Sequence, residues 1–524
     1  MKGIRATIVS LVSIATLATA VASPGNANTL RWANSADITT VDPHGSYGVF
    51  NMGFMGNIYE GLVRLNRDYK IEPSLAVSWE RVDPVTWRFR LRPNVKFHNG
   101  NAFTADDVAA SLMRAADPNS PFRPGAYWIK DVKKIDDLTV DVLSEGPHGT
   151  VLNDLAAIYV MDKEWMVAND ALRSTNQAKG EKGFADDNAN GTGPFVLVSR
   201  RPDSETVLKA NPNWWHKAEH NLTGVILRPI ASDATRMSSL LSGEIDLATP
   251  APLQDVGRLQ GSDAVKAIVG DSTKIYFLNL NQYGARLNDS NITDKNPLND
   301  VRVRKALYQA LNIELIASRI FRGMTKQTGN YLAPQIQGYS ASLDAPLVKF
   351  DPAAAKKLLA EAGYPNGFEV GFDCAAAVYI NSEQMCQAMT AMWSQIGVKA
   401  NLSVMPWSAY SPKTLNKKSD IWQISWANTP QLDGFAFANN VIRSKGLYNP
   451  GYDNPKADEL IEVIRTEQDP KRRQELMAQL FGIYRQDVGT IPLLFEPLVW
   501  GAKKKFNIFQ PADGMFRLYW ARFD

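Results

Sequence analysis

Strand-like and helix-like patterns alternate along the whole of this chain. Residues 85–91 alternate apolar and polar side chains, as a half-buried β-strand does. Thr104 then supplies a side chain suited to cap the N-terminus of a helix. Further along, Asp351 and Pro352 open another helix, which Gly363 ends. Strands that alternate with helices of roughly 10–15 residues predict mixed α/β domains.

The N-terminus carries the pattern of an export signal. Lys2 and Arg5 give a positive start, an uncharged and mostly apolar run covers residues 6–22, and the run ends in the small-x-small sequence Ala-Val-Ala. This order predicts a signal peptide over residues 1–22, with residue 27 as an alternative end. A retained membrane anchor is the other interpretation. No cysteine stands at the cleavage site to take a lipid, so we expect a free protein in the periplasm.

Composition narrows the class of partner. The 524 residues include 57 Lys and Arg against 54 Asp and Glu. This balance gives no electrostatic basis for binding nucleic acid. The length predicts about two to four domains. Beyond the N-terminal segment, charged residues interrupt every apolar run, so we expect no further membrane-spanning helix.

The chain has only two cysteines, Cys374 and Cys386. In an oxidising compartment, two lone thiols are better interpreted as one disulfide than as two free groups. Closing so short a loop stabilises the fold by roughly 3 kcal/mol in the chain-entropy model. The chain has no Cys-x-x-Cys sequence, which argues against redox catalysis.

Catalytic motifs are absent from the sequence. It contains no Gly-x-Ser-x-Gly elbow, no Walker-type phosphate loop and no His-Glu-x-x-His zinc motif. His216 and His220 are four positions apart, but they follow two tryptophans in a predicted loop, with no cysteine nearby. We therefore predict no catalytic residue, no protein-held metal and no cofactor.

Nine short segments occur in a characteristic order. They are Asp42-Pro43-His44, Tyr59-Glu60-Gly61-Leu62, residues 87–92 with 95–100, residues 103–108, Gly191-Thr192-Gly193-Pro194-Phe195, Asn211-Pro212-Asn213-Trp214-Trp215, residues 301–307, residues 351–365 and Ile491-Pro492-Leu493. In this order the segments resemble the extracellular family 5 group of solute-binding proteins, which serve the ATP-binding-cassette importers of peptides and nickel. The resemblance covers essentially the whole mature chain.

The resemblance implies a two-lobed periplasmic-binding-protein fold. Two hinged, mixed α/β lobes would enclose a ligand, and an extra domain would be inserted into lobe one. Lobe one would comprise residues 28–72, 194–272 and 505–524, the inserted domain residues 73–193, and lobe two residues 273–504. Closure of the lobes on the ligand would be a hinge motion.

The resemblance also points to the lobe-one ligand loop. It follows the Asp-Pro-His segment and contains Tyr47, Gly48, Val49 and Phe50. Gly48 would let backbone groups approach a ligand, and Tyr47 offers a flat apolar face and one hydroxyl group. An ordinary surface turn is the alternative.

The lobe-two ligand segment would contain Gln423, Ser425, Trp426, Asn428 and Thr429. In relatives that bind peptides, this tryptophan is followed three residues later by an aspartate that takes the ligand's amino group. Thr429 stands at that position here, and the acidic Asp433 matches a residue of the following loop instead. Core packing of Trp426 is the alternative.

A second departure lies beside the predicted disulfide. Close relatives carry an arginine just before a tyrosine in this segment, whereas here Val378 precedes Tyr379. Valine cannot pair with a carboxylate, so we expect Tyr379 to contact the ligand without that arginine. With both charge clamps neutral, an ordinary dipeptide fits less well than a longer or capped peptide. Arg322 and Lys326 are candidate substitutes for the missing positive charge.

The function that follows is that of a periplasmic receptor for peptides or peptide-like solutes. Its partners would be the ligand and the importer's inner-membrane permease and ATPases, and we expect a monomer. Three alternatives stay open. They are a receptor for a sugar-like or opine-like solute or a metal chelate, a chaperone or sensor that binds without transport, and a hydrolase with a similar cleft.

Overall fold

The computed structural model describes residues 28–524. The predicted signal peptide lies outside these residues. The strands are β1 Thr29–Asn34, β2 Val63–Leu65, β3 Ile71–Pro73, β4 Ala76–Asp83, β5 Thr86–Leu91, β6 Ile129–Asp136, β7 Thr139–Ser144, β8 Phe195–Arg201, β9 Glu205–Ala210, β10 Gly224–Pro229, β11 Leu247–Thr249, β12 Val265–Leu280, β13 Phe368–Ala375, β14 Val398–Met405, β15 Ile421–Ala427, β16 Thr490–Lys503, β17 Phe506–Asn507 and β18 Arg522–Phe523.

The helices lie between these strands. They are α1 Val49–Met55, α2 Ala105–Ala116, α3 Arg123–Ala126, α4 Val151–Leu155, α5 Lys163–Ala168, α6 Asp233–Leu241, α7 Val256–Gln260, α8 Val301–Gln309, α9 Ile313–Arg319, α10 Pro352–Glu361, α11 Ser382–Ser394, α12 Trp407–Leu415, α13 Phe435–Phe437, α14 Pro455–Thr466 and α15 Pro470–Gln486. Short 3-10 helices and one five-residue π-helix, Ala438–Ile442, complete the set. The predicted mixed α/β class is confirmed.

A ten-stranded mixed sheet forms the backbone of the molecule. Its order is β14-β13-β15-β12-β16-β11-β1-β10-β9-β8. The strands β12 and β16 are long and central, and they pair with each other in antiparallel orientation. On its other side, β12 pairs with β15 in one half of the sheet, and β16 pairs with β11 in the other half. Their pairing is interrupted between Asp271 and Ile275. Two strands that cross from one half to the other are the hinge of a two-lobed binding protein, so the predicted fold is confirmed; the predicted lobe boundaries stay predictions.

A separate antiparallel sheet, in the order β4-β5-β7-β6, carries the inserted part of the chain. Helix α2 packs against it, and the buried faces of both share one apolar cluster. Thr104 caps α2 as predicted, because its side chain and that of Asp107 form a reciprocal capping box. Arg114 at the end of α2 makes a buried ion pair with Asp42 at 2.6 Å. This pair fixes the inserted sheet against the first segment of the chain.

The other half of the molecule contains the disulfide. Cys374 near the end of β13 and Cys386 in α11 are bonded, with 6.5 Å between their Cα atoms, which confirms the predicted pairing. Asp351 caps α10 by accepting a hydrogen bond from the Ala354 amide, and Asp469 caps α15 in the same way. Gly363 follows α10 with a φ of 94°, a conformation that favours glycine. Within residues 28–524, no helix combines the length and the apolar character that crossing a membrane requires.

Candidate functional site

A cavity of about 410 Å³ lies between the inserted sheet and the segment that follows β15. Four separate stretches of chain line it, around residues 47, 124–127, 148–154 and 426–440, so it exists only in the folded protein. Its lining includes Tyr47, Tyr127, His148, Thr150, Asp154, Trp426, Thr429, Gln431, Asp433 and Phe435. Its volume falls in the range of about 300–1,000 Å³ typical of sites for small molecules.

The predicted lobe-one loop contributes one side chain to this cavity. Tyr47 lines it, with its ring packed edge-on against Phe122 at 5.1 Å between centroids. Gly48 is exposed and precedes α1, which begins at Val49. The ring of Phe50 packs 5.6 Å from that of Trp32, in the core of the first half. Helix formation turns Val49 and Phe50 inward, and their ligand contacts stay predictions.

The predicted lobe-two segment contributes its last residues. Trp426 and Thr429 line the cavity. Asn428 is buried, and its Oδ1 accepts a hydrogen bond from Trp426 Nε1 at 3.3 Å, which orients the indole. Gln423 is fully buried within β15, and neither it nor Ser425 is a lining residue. Side chains alternate along a strand, so Gln423 and Ser425 face away from the side that carries Trp426.

Tyr379 lies outside the cavity lining. Its ring packs edge-on against Tyr276 at 6.1 Å and against Trp407 at 6.3 Å between centroids. Val378 beside it is 42% exposed. The candidate substitutes Arg322 and Lys326 are also exposed and do not line the cavity. The ligand contact of Tyr379 therefore stays a prediction.

The cavity contains two carboxylates in different electrostatic states. Asp433 is neutralised by Arg473, whose Nε and Nη2 donate to its two oxygens at 2.9 and 2.8 Å, and both side chains are buried. Asp154 contacts no Lys or Arg in the described part of the chain. Its Oδ2 instead accepts hydrogen bonds from His148 Nε2 at 2.7 Å and from Thr150 Oγ1 at 2.8 Å. Thus, among the described residues, the carboxylate of Asp433 has a guanidinium partner and the carboxylate of Asp154 has none.

Hydrogen bonds cross the cleft beside the cavity. Gln431 Nε2 donates to the hydroxyl oxygen of Tyr47 at 2.6 Å, and Asn153 Nδ2 donates to the Gln431 carbonyl at 2.7 Å. Gln468 Nε2 donates to the His148 carbonyl at 3.2 Å. These contacts join the segment after β15 and the loop before α15 to the opposite wall, so the cleft is closed.

Most of the lining residues were not predicted from the sequence. Among them, Tyr127, His148 and Asp154 belong to the inserted part, and no recognisable motif marks them. The imidazole of His148 stacks on Trp128 with 4.9 Å between centroids. Burial raises the pKa of Tyr47, and the nearby negative charge of Asp154 adds to the rise.

Comparison with known proteins shows which family this chain belongs to. The model of a family described as bacterial extracellular solute-binding proteins, family 5 Middle, matches residues 70–448. The chain belongs to this family. It is therefore a solute-binding component of an ATP-binding-cassette importer, as the ordered segments implied.

Relatives in the family are similar over most of their length. The chain is 28% identical over 473 residues to heme-binding protein A of Haemophilus influenzae, covering 84% of this chain and 83% of that protein. It is 26% identical over 495 residues to glutathione-binding protein GsiB of Escherichia coli, covering 91% of each. The solved structure of HbpA2 from Haemophilus parasuis superposes with a TM-score of 0.81 at 25% identity, covering 95% of this chain and 100% of that one.

Proposed function

We propose that this family member captures a peptide or peptide-like solute in the cavity between Tyr47 and Trp426. It then delivers the solute to an inner-membrane permease driven by two ATPases. The observation that carries this proposal is that the two side chains reach one cavity from opposite walls. A ligand there contacts both walls and stabilises the closed form.

The chemistry of the lining favours a peptide with few negative charges. The relatives named above are described as binding heme and glutathione, and glutathione is itself a peptide. Heme and glutathione both carry two carboxylates. The described residues that line this cavity include no Lys or Arg, so an anionic ligand would meet no permanent positive charge there. We therefore place this chain nearer to peptide receptors than to heme carriers.

The protein works in the periplasm as a monomer and without catalysis. The one arrangement that invites comparison with a hydrolase is His148 with Asp154 and Thr150. In a catalytic triad the carboxylate and the nucleophile contact different imidazole nitrogens. Here both oxygens lie beside Nε2, at 2.7 and 3.0 Å. This geometry orients a loop and does not activate Thr150.

Mass spectrometry of the exported, purified protein tests the proposal. The sample is denatured after gel filtration, and the released small molecules are identified and then titrated back. We expect a peptide or a modified peptide that rebinds with submicromolar affinity. Recovery and tight rebinding of a sugar or of a metal chelate would contradict the peptide class.

A further inference from the structure

The cavity has an unusual balance of charge. Its charged or titratable lining groups are His148, Asp154, Asp433 and two tyrosines, without any Lys or Arg. Asp433 is less available to a ligand, because its charge is paired with Arg473, its Oδ1 accepts from Arg473 and from the Phe435 amide, and its Oδ2 accepts from Arg473. Asp154 is different. Its Oδ2 holds both of its hydrogen bonds, and in the described part of the chain its Oδ1 accepts none.

Four aromatic residues share the cavity with Asp154. Tyr47, Tyr127, Trp426 and Phe435 all line the same cavity. Tyr47 and Tyr127 line this cavity together with Asp154. Burial raises the pKa of both phenols, and the negative charge of Asp154 adds to the rise. Aromatic faces attract cations through their quadrupoles, most strongly where water is excluded. Several aromatic rings beside one carboxylate form a receptor for a cation.

We propose that Asp154, with the aromatic faces of Tyr127 and Trp426, receives a protonated amino group of the solute. The assignment rests on the proposed function and names an acidic partner that the family resemblance does not supply. It moves the acidic partner of the amine from position 429, where threonine stands, to the opposite wall of the cleft. An anionic end of the same solute finds no Lys or Arg among the described residues that line this cavity.

A purely structural role for Asp154 accounts for its hydrogen bonds, but not for a buried carboxylate without a Lys or Arg partner. Two donors to Oδ2 would suffice to hold the loop that contains His148 and Thr150. His148 Nε2 lies 2.7 Å from Asp154 Oδ2, but no Lys or Arg among the described residues pairs with this carboxylate. A buried carboxylate that lacks a Lys or Arg partner is costly, and a bound amine would lower that cost on closure.

Two peptide mixtures that differ in one chemical respect test the assignment. A tryptic digest of casein is used as it is and after acetylation of all its amino groups. Each digest is incubated with the full mature protein, and the peptides retained through gel filtration are identified by mass spectrometry. We expect retention from the untreated digest only, and titration of one retained peptide then gives its affinity.

Variants separate charge from aromatic contact. Asp154→Asn should weaken that peptide about tenfold, as expected for loss of a charge-assisted hydrogen bond. Tyr127 is 51% exposed, so its replacement spares the fold. Tyr127→Leu should weaken binding about threefold to fivefold and Tyr127→Phe should not, because the ring face is kept. Asp137→Asn is the matched control, with the same charge change in the turn between β6 and β7, where the side chain is 78% exposed.

Each outcome decides a different question. Equal retention from both digests would overturn the amine assignment and leave the peptide function intact. No retention from either digest would contradict the peptide function, and the assignment with it. If Asp154→Asn lowers the melting temperature too far for a binding measurement, the affinities of Tyr127→Leu and Tyr127→Phe test the assignment instead. A wild-type affinity for Tyr127→Leu would then overturn it.

Discussion

The hydroxyl oxygen of Tyr47 lies 2.6 Å from the side-chain nitrogen of Gln431, although the two residues are 384 positions apart. The carbonyl of Gln431 accepts another hydrogen bond, from the side chain of Asn153, which lies on the same wall of the cleft as Tyr47. Gln431, which directly follows Pro430, is therefore hydrogen-bonded to both the lobe-one loop and the inserted part. Gln431 acts as a latch on the closed cleft.

Replacing Gln431 should shift the unliganded protein toward open forms. Gln431→Ala removes the side-chain bond to Tyr47, and a hydrogen bond of this kind contributes about 1 kcal/mol. A larger radius of gyration in small-angle X-ray scattering is the expected result. The exposed Gln395→Ala is the matched control. An unchanged scattering curve for Gln431→Ala would show that the latch does not hold the cleft.

The buried pair of Asp433 and Arg473 should be a strong determinant of stability. Asp433→Asn leaves a buried guanidinium uncompensated, which costs about 3–5 kcal/mol of unfolding free energy. Arg473→Met removes the other charge and should cost a similar amount. The double variant should lose less than the sum, because it leaves no isolated charge. Urea unfolding measures all three, and strictly additive losses would contradict a direct pairing.

Acid should weaken the fold through buried histidines. His98 is held neutral, because its Nδ1 accepts from the Gly191 amide while Nε2 donates to the Gly193 carbonyl. Burial lowers the pKa of His98 to about 4, and burial with the charge of Arg114 lowers the pKa of His44 to about 3. Below the unfolded value of about 6.5, the unfolded chain binds protons that the folded one excludes. Each histidine therefore contributes stability above about pH 6.5 that is lost as the pH falls toward its folded pKa.

The pH dependence gives a direct test of the His98 environment. For wild type, the unfolding free energy should fall by about 1.4 kcal/mol per pH unit for each histidine between pH 6 and 4.5. His98→Gln does not titrate, so its slope in that window should be smaller by one such contribution. Chemical denaturation at fixed pH values measures the slopes. Parallel slopes for the two proteins would contradict a neutral His98 in the folded state.

Much of the fold could be predicted from patterns of neighbouring residues in the sequence. Asp351 and Asp469 were identifiable as helix caps because capping depends on adjacent residues. The pairing of Cys374 with Cys386 needed only a short loop and an oxidising compartment. The family resemblance implied a hinge between two lobes, but it did not identify β12 and β16, since no local signal distinguishes a crossing strand from an ordinary one.

The candidate site was harder to predict because its walls come from distant stretches of chain. Tyr47, Trp426 and Thr429 were reachable through the family's ligand segments. Asp154 and Tyr127 carry no motif, and only tertiary folding brings them to Trp426. A sequence segment also does not show which of its residues face the same way, so Gln423 was grouped with Trp426 although alternation along β15 separates them.

Trp426 should be an anchor of the ligand and not of the fold. Its ring packs edge-on against Tyr448 and Phe437 and remains partly exposed to the cavity. Trp426→Ala should weaken ligand binding by an amount on the order of 2 kcal/mol, as for a buried aromatic anchor. Trp407→Ala, at a 43% exposed tryptophan outside the cavity, is the matched control. Unchanged affinity with a sharply lower melting temperature would make Trp426 a core residue.

Hydrogen–deuterium exchange with and without the copurified solute tests the location of binding most directly. Capture in the proposed cavity predicts slower exchange in three stretches at once, around residues 45–50, 147–155 and 426–440, because ligand contact and closure shield both walls. It also predicts little change in the outer strands β8 and β14. Protection that spares all three stretches, or that is confined to another surface while the solute is bound, would contradict this account.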